Sequence, residues 1–147
     1  MPLVIRRYSD ADFAALCRID VESYAPEIAY SRRTMRAFLR LPGAECFVAE
    51  EEGEIQGFIL TDRDGPAGHV ITLDVAPSAR RRKTGTALLE AAQASLARHG
   101  VREVDLETST ANDAAVAFWK KHGYREHGVL TNYYQNGEDA FWMARKL

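Results

Sequence analysis

The chain has 147 residues, 46% hydrophobic and 27% charged, with a formal net charge of −2. That length suits a single domain, residues 1–147, with a core of its own, and the near-neutral balance argues against a binder of nucleic acid or anionic membrane. Cys17 and Cys46 are too few for a disulfide framework and read as small buried hydrophobes, Met1 to Arg7 lacks a signal peptide's apolar stretch, and no segment nears the roughly 18 apolar residues of a membrane span, so a soluble cytoplasmic protein is expected.

Leu3 to Tyr8 is apolar and β-branched and predicts a first strand. Ser9 with Asp12 three residues on makes a capping box for a helix carrying Phe13, Leu16, Cys17 and Ile19 to about Tyr24. Pro26 breaks it, Ser31 caps a second helix with Met35, Phe38 and Leu39, and Pro42-Gly43 ends that one. Cys46 to Glu50 and Ile55 to Thr61 form a hairpin around Glu52-Gly53-Glu54. After Asp64-Gly65-Pro66, strand alternation over His69 to Ala76 places His69, Ile71, Leu73 and Val75 on one face. Thr84 to Arg98 is helical and Gly100 caps it. Val101 to Glu107 is a strand, Ala114 to His122 a helix, and Tyr124 to Tyr134 and Asp139 to Arg145 are strands around Asn136-Gly137. The order β-α-α-β-β-β-α-β-α-β-β predicts an α/β (α+β) fold with a mixed sheet.

Four successive cations, Arg80 to Lys83, lie against the start of the third helix. A helix N-terminus already carries about half a positive charge, so cations there are unfavourable unless a polyanion docks. Backbone N–H groups of the loop and first turn would then hydrogen-bond phosphate oxygens, with Gly85 allowing close approach. A solvated basic loop or a nucleic-acid patch reads equally from charge alone.

The run Val75-Ala76-Pro77-Ser78-Ala79-Arg80, with Gly85 five residues after Arg80 and Ala87-Leu88-Leu89 beyond, resembles the acetyl-coenzyme A motif of the GNAT acetyltransferase superfamily. The resemblance implies a mixed, mainly antiparallel central sheet flanked by about four helices, with acetyl-coenzyme A as co-substrate and no metal. Arg80, Arg81, Arg82, Lys83, Thr84, Gly85 and Thr86 would hold the pyrophosphate. Leu73, Asp74 and Val75 would serve the pantetheine arm and acetyl carbonyl from the preceding strand. Lys83 stands where the family has glycine. Asn112 and Trp119 complete the cofactor set: Asn112 matches the family's pantetheine-contacting asparagine, and it also suits a plain helix cap. Asn132-Tyr133-Tyr134 with Gly137-Glu138-Asp139-Ala140 resembles the close of the ribosomal-protein-alanine N-acetyltransferases, whose last hairpin lines the groove for a peptide N-terminus.

Glu107 occupies the family's general-base position, although Glu103, Asp105 and Glu107 also alternate as a solvated acidic face would. A backbone N–H near Val75 would stabilise the oxyanion. Relatives carry their general acid as a tyrosine seven residues after the asparagine, and here Trp119, whose indole gives up no proton, stands there. Either the thiolate leaves unaided, or Tyr133 or Tyr134 substitutes, or activity is slow or lost; strand alternation lets one tyrosine reach. Tyr134 is the candidate acid, and Tyr24, Tyr30 and Tyr133 are candidate acceptor contacts. The expected partners are acetyl-coenzyme A and an amine, foremost a protein N-terminus, for a monomer or homodimer. A small-amine acetyltransferase and a non-catalytic acyl-coenzyme A-binding module are the alternatives.

Overall fold

The computed structural model describes residues 2–80 and 83–147. Its elements are β1 (Val4–Arg7), α1 (Phe13–Ser23), α2 (Arg32–Leu39), β2 (Glu45–Glu51), β3 (Glu54–Asp64), β4 (Ala67–Val75), α3 (Thr84–Arg98), β5 (Glu103–Ser109), α4 (Asp113–Lys121), β6 (Arg125–Leu130) and β7 (Ala140–Lys146). They form one seven-stranded sheet in the order β1-β2-β3-β4-β5-β7-β6. Neighbouring strands are antiparallel except for β4 and β5. The mixed, mainly antiparallel fold with four helices is the expected one. Among the described residues, no helix is long and apolar enough to cross a membrane.

Local chemistry explains most boundaries. The Asp12 carboxylate accepts from Ser9 N at 2.9 Å and from both terminal nitrogens of Arg6 at 2.9 Å, tying the turn before α1 to the edge strand. Ser31 Oγ accepts from Thr34 N at 3.1 Å and starts α2. Glu52 and Gly53, with φ of 53° and 80°, make the two-residue turn between β2 and β3. Both central residues in the left-handed region mark a type I′ turn, whose twist matches that of the strands.

Each face of the sheet has its own core. Leu88, Leu89, Ala92 and Leu96 of α3 pack on Ala49, Ile59, Val70, Val104 and Leu106. On the other face, Leu16 and Ile19 of α1 and Met35 of α2 pack on Val48, Phe58 and Leu60. Each such leucine or isoleucine removed from water contributes roughly 2 kcal/mol.

Two sequence expectations fail here for geometric reasons. Strand β4 does not alternate throughout: Thr61 pairs with Val70 but Leu60 pairs with Thr72, so Ile71 is an extra, bulged residue. Ile71 therefore packs with the α1–α2 core while Leu73 packs with α3, and the expected single face over His69, Ile71, Leu73 and Val75 is divided. Second, the strand expected to reach Tyr134 ends at Leu130, and residues 131–139 form turns with Asn132 at φ 55° and Gly137 at φ 86°.

Candidate active site

The site follows from one interrupted ladder. Parallel strands β4 and β5 pair at Ala67↔Glu103, Gly68↔Val104 and His69↔Asp105, where the ladder ends although β4 runs on to Val75 and β5 to Ser109. A crevice opens at the carboxyl ends of these two strands, the usual place for a ligand beside parallel strands. Helix α3 follows β4 and α4 follows β5, so two helix N-termini, with unpaired N–H groups, border this end of the sheet.

On the α3 side, the residues read from sequence as phosphate-holding take varied places. Arg81 and Arg82 lie outside the described residues. Arg80 turns back, its Nε donating to Val75 O at 3.1 Å. Lys83, the N-terminal flanking residue of α3, has φ 62° and ψ 14°. That left-handed conformation costs glycine nothing and other residues about 1–2 kcal/mol, which accounts physically for glycine at this position in the family pattern. Thr84 is buried. Thr86 Oγ1 lies 3.0 Å from His122 Nε2, so its hydroxyl is engaged with α4's end. Burial first, and Lys121 second, hold His122 below the ordinary histidine value, and its neutral ring can accept from Thr86. A Cβ on Gly85 would stand 3.4 Å from Phe118 Cε1 and 3.7 Å from Val75 Cγ2. These are ordinary van der Waals distances, so a side chain of one carbon would fit against Phe118 and Val75 at this position. What fits a polyanion here is the described backbone of α3's first turn with Lys83 beside it.

Three members of the expected cofactor set have partners within the protein. Trp119 is 6% exposed and stacks edge-on between Phe118 and Tyr124, with ring centroids 5.1 and 5.2 Å away. It is a core residue of the α3 side because its position in α4 faces the sheet. Asp74 is 1% exposed and its carboxylate Oδ1 accepts from Thr72 Oγ1 at 2.5 Å, on the α1 face. Asn112 accepts from Ala115 N at 3.1 Å and caps α4.

Glu107 is where the structure gathers functional groups. Val104 and Leu106 face α3, so Asp105 and Glu107 face the α1–α2 side. Tyr133 Oη donates to Glu107 Oε1 at 3.2 Å, and His69 Nε2 lies 3.4 Å from the same oxygen. His69 Nδ1 lies 2.6 Å from Asp105 Oδ1, and Trp142 Nε1 donates to Asp105 Oδ2 at 3.0 Å. Burial first, then the Glu107 carboxylate, push the Tyr133 hydroxyl up to about 12. Burial first, then Tyr133, Asp20, Asp74 and Glu107, push Tyr30 up to about 12. The hydroxyl of Tyr134 is raised too, by burial, then Tyr133, Tyr30 and Glu107. Glu107, Tyr30, Tyr133 and Tyr134 thus share one neighbourhood. Alternation does not separate Tyr133 from Tyr134, because both lie in a turn; their rings meet edge-on at 4.9 Å. The turn is fastened to β5: Ser109 Oγ donates to Glu138 Oε1 at 2.8 Å, and Thr110 N to Asp139 O at 3.0 Å.

Tyr24 lies deeper, with its hydroxyl 3.5 Å from Thr72 Oγ1. Beside it Asp20 and Asp74 adjoin, each with one oxygen lacking a donor, while Asp20 Oδ2 accepts from Tyr30 N at 2.7 Å. Burial and the Asp20 carboxyl raise Asp74 well above the carboxylate range, as for a pair sharing one proton. His69, Asp105 and Glu107 offer donor atoms within 4.8 Å of one another. His69 meets Asp105 through Nδ1 and Glu107 through Nε2. Sequence reasoning missed His69, Asp105 and Trp142 as site residues. Only the strand register brings them to Glu107.

The profile of the acetyltransferase (GNAT) family matches residues 13–124. An uncharacterized N-acetyltransferase of Methanocaldococcus jannaschii is 32% identical over 88 residues, covering 60% of this chain. The chain spans 55% of the length of that relative. Among solved structures, the ribosomal-protein-S18-alanine N-acetyltransferase of Escherichia coli superposes with a TM-score of 0.89 at 26% identity, over 99% of this chain and 94% of that one. A chain of the NatC complex bound to Gag peptide and CoA superposes with a TM-score of 0.87 at 25% identity, over 100% of this chain and 99% of that one.

Proposed function

This chain belongs to the GNAT acetyltransferase family, and from that premise we propose that it transfers an acetyl group from acetyl-coenzyme A to a primary amine, the α-amine of a protein or peptide N-terminus. The observation that carries the reading is the hydrogen bond from Tyr133 to Glu107 beside the crevice between β4 and β5, with the Tyr134 ring against Tyr133. An acceptor groove needs apolar rings to seat an extended chain end, and a carboxylate to take the proton from the attacking nitrogen. The peptide and CoA of the NatC complex and the alanine acceptor of the S18 enzyme support this choice of acceptor.

The roles follow from the chain's own groups. Phosphates dock at the N-terminal turn of α3, near Lys83. The open edge of β4 from Leu73 to Val75 receives the pantetheine arm, and a backbone N–H there meets the oxyanion, a contribution often near 3 kcal/mol. Both contacts to Glu107 fall on Oε1, so the amine meets Oε2. No dedicated acid is required: a thiol with pKa near 8.5 is a tolerable leaving group. Burial raises the Tyr134 hydroxyl and so favours its protonated form, which can donate a hydrogen bond.

The test is acetyl transfer to a short peptide with a free N-terminus, set against a panel of small amines and read by product mass. Peptide acetylation at the α-amine is expected. Glu107→Gln should lower the rate by about 10²–10⁴-fold with acetyl-coenzyme A binding preserved. A mutant rate equal to the wild type's, or acetylation of small amines alone, refutes the proposal.

A further inference from the structure

Resting on the acetyl-transfer reading above, we propose that His69 is a positioning residue for Glu107: it receives the amine's proton from that carboxylate and is itself steadied by Asp105. The three lie in one line of contacts, Asp105 Oδ1 to His69 Nδ1 at 2.6 Å and His69 Nε2 to Glu107 Oε1 at 3.4 Å. His69↔Asp105 is the last pair of the parallel ladder, so the imidazole stands where the crevice opens and its backbone is held. Asp105 is fixed on its other oxygen by Trp142, itself the cross-strand partner of Glu107.

The donor inventory decides where the proton sits. A carboxylate only accepts, so the 2.6 Å contact assigns the N–H of a neutral ring to Nδ1. Nε2 then points a lone pair at Glu107 Oε1, which already accepts from Tyr133. A proton arriving on Glu107 can pass to that lone pair, and the ring then donates to both carboxylates. Side-chain exposures of 35% for His69 and 20% for Glu107 let the proton leave from His69 to water. The other titratable groups facing this line are Asp62, opposite His69 on β3, and Tyr30, Tyr133 and Tyr134.

In the step, the nitrogen–carbon bond forms and the carbon–sulfur bond breaks. The proton lost by nitrogen passes to Glu107 Oε2, and a half-turn of the carboxyl presents it to His69 Nε2, giving an imidazolium that donates to Asp105. The ring returns its proton to water, and the departing thiolate takes one from water.

The experiment compares wild type, His69→Gln, His69→Ala and Asp105→Asn with acetyl-coenzyme A and the peptide acceptor. We expect kcat of His69→Gln to fall about tenfold, less than the roughly 10²–10⁴-fold of the base itself because Glu107 stays in place, with both KM values within about twofold. The rate of His69→Gln should recover with rising pH as water and hydroxide take over, and added imidazole should restore activity to His69→Ala. A wild-type kcat and pH profile in His69→Gln overturns the inference. So does a loss that imidazole does not rescue and that a lowered melting temperature accompanies. A wild type inactive on every amine overturns the underlying reading and this inference with it, whereas an active wild type indifferent to His69 overturns this inference alone.

Discussion

Replacing Asp74 by asparagine should flatten the dependence of stability on pH. Asp74 and Asp20 are both fully buried, and burial together with the neighbouring carboxyl raises Asp74 well above the value of an unfolded aspartic acid. A raised carboxyl contributes stability that is fully present below the unfolded value near 3.9 and is lost as pH rises toward the folded one. Across that window the folded pair holds one proton and the unfolded chain none, a slope of about 1.4 kcal/mol per pH unit. For a chain of this size that corresponds to roughly 3–6 °C in Tm per unit. Asparagine is nearly the same shape; its amide can donate to the orphaned Asp20 Oδ1 while its carbonyl accepts from Thr72. Thermal melts of both proteins between pH 5 and 8 check this. The wild-type Tm should fall more steeply, and the variant should lie above it at pH 8. Parallel curves would mean that no proton is shared, and the reasoning fails.

Two further substitutions probe residues that depart from the family pattern. Lys83→Gly relieves a left-handed residue at a cost of about 1–2 kcal/mol, partly offset by glycine's extra freedom when unfolded. A net gain of about 0.5–1 kcal/mol, or roughly 2–3 °C in Tm, is expected. Trp119→Tyr restores the family's tyrosine but leaves a void between Phe118 and Tyr124, costing about 1–3 kcal/mol. Because the position faces the core, kcat should not rise; steady-state kinetics beside a melt checks both.

What could be read directly from the chain was what local physics controls. Ser9 with Asp12, Ser31 and Asn112 begin helices because their side chains satisfy N–H groups three residues away, whatever the rest of the fold does. Glu52-Gly53 turns a hairpin for a similarly local reason, and the element order followed from such signals. The motif around Arg80 and Gly85 pointed to the family whose profile matches the chain.

Tertiary structure decided which face each of these residues serves. An extra residue at Ile71 sends Leu73 to the α3 side, and no periodicity over nine residues reveals a bulge that only pairing with β3 creates. Trp119 enters the site by resemblance to the family, and its burial could not be read from sequence because it depends on what packs against α4. His69 and Asp105 are 36 residues apart in sequence and 2.6 Å apart in space. A parallel register sets that distance, and register is the outcome of packing both faces of the sheet at once, which no single segment carries.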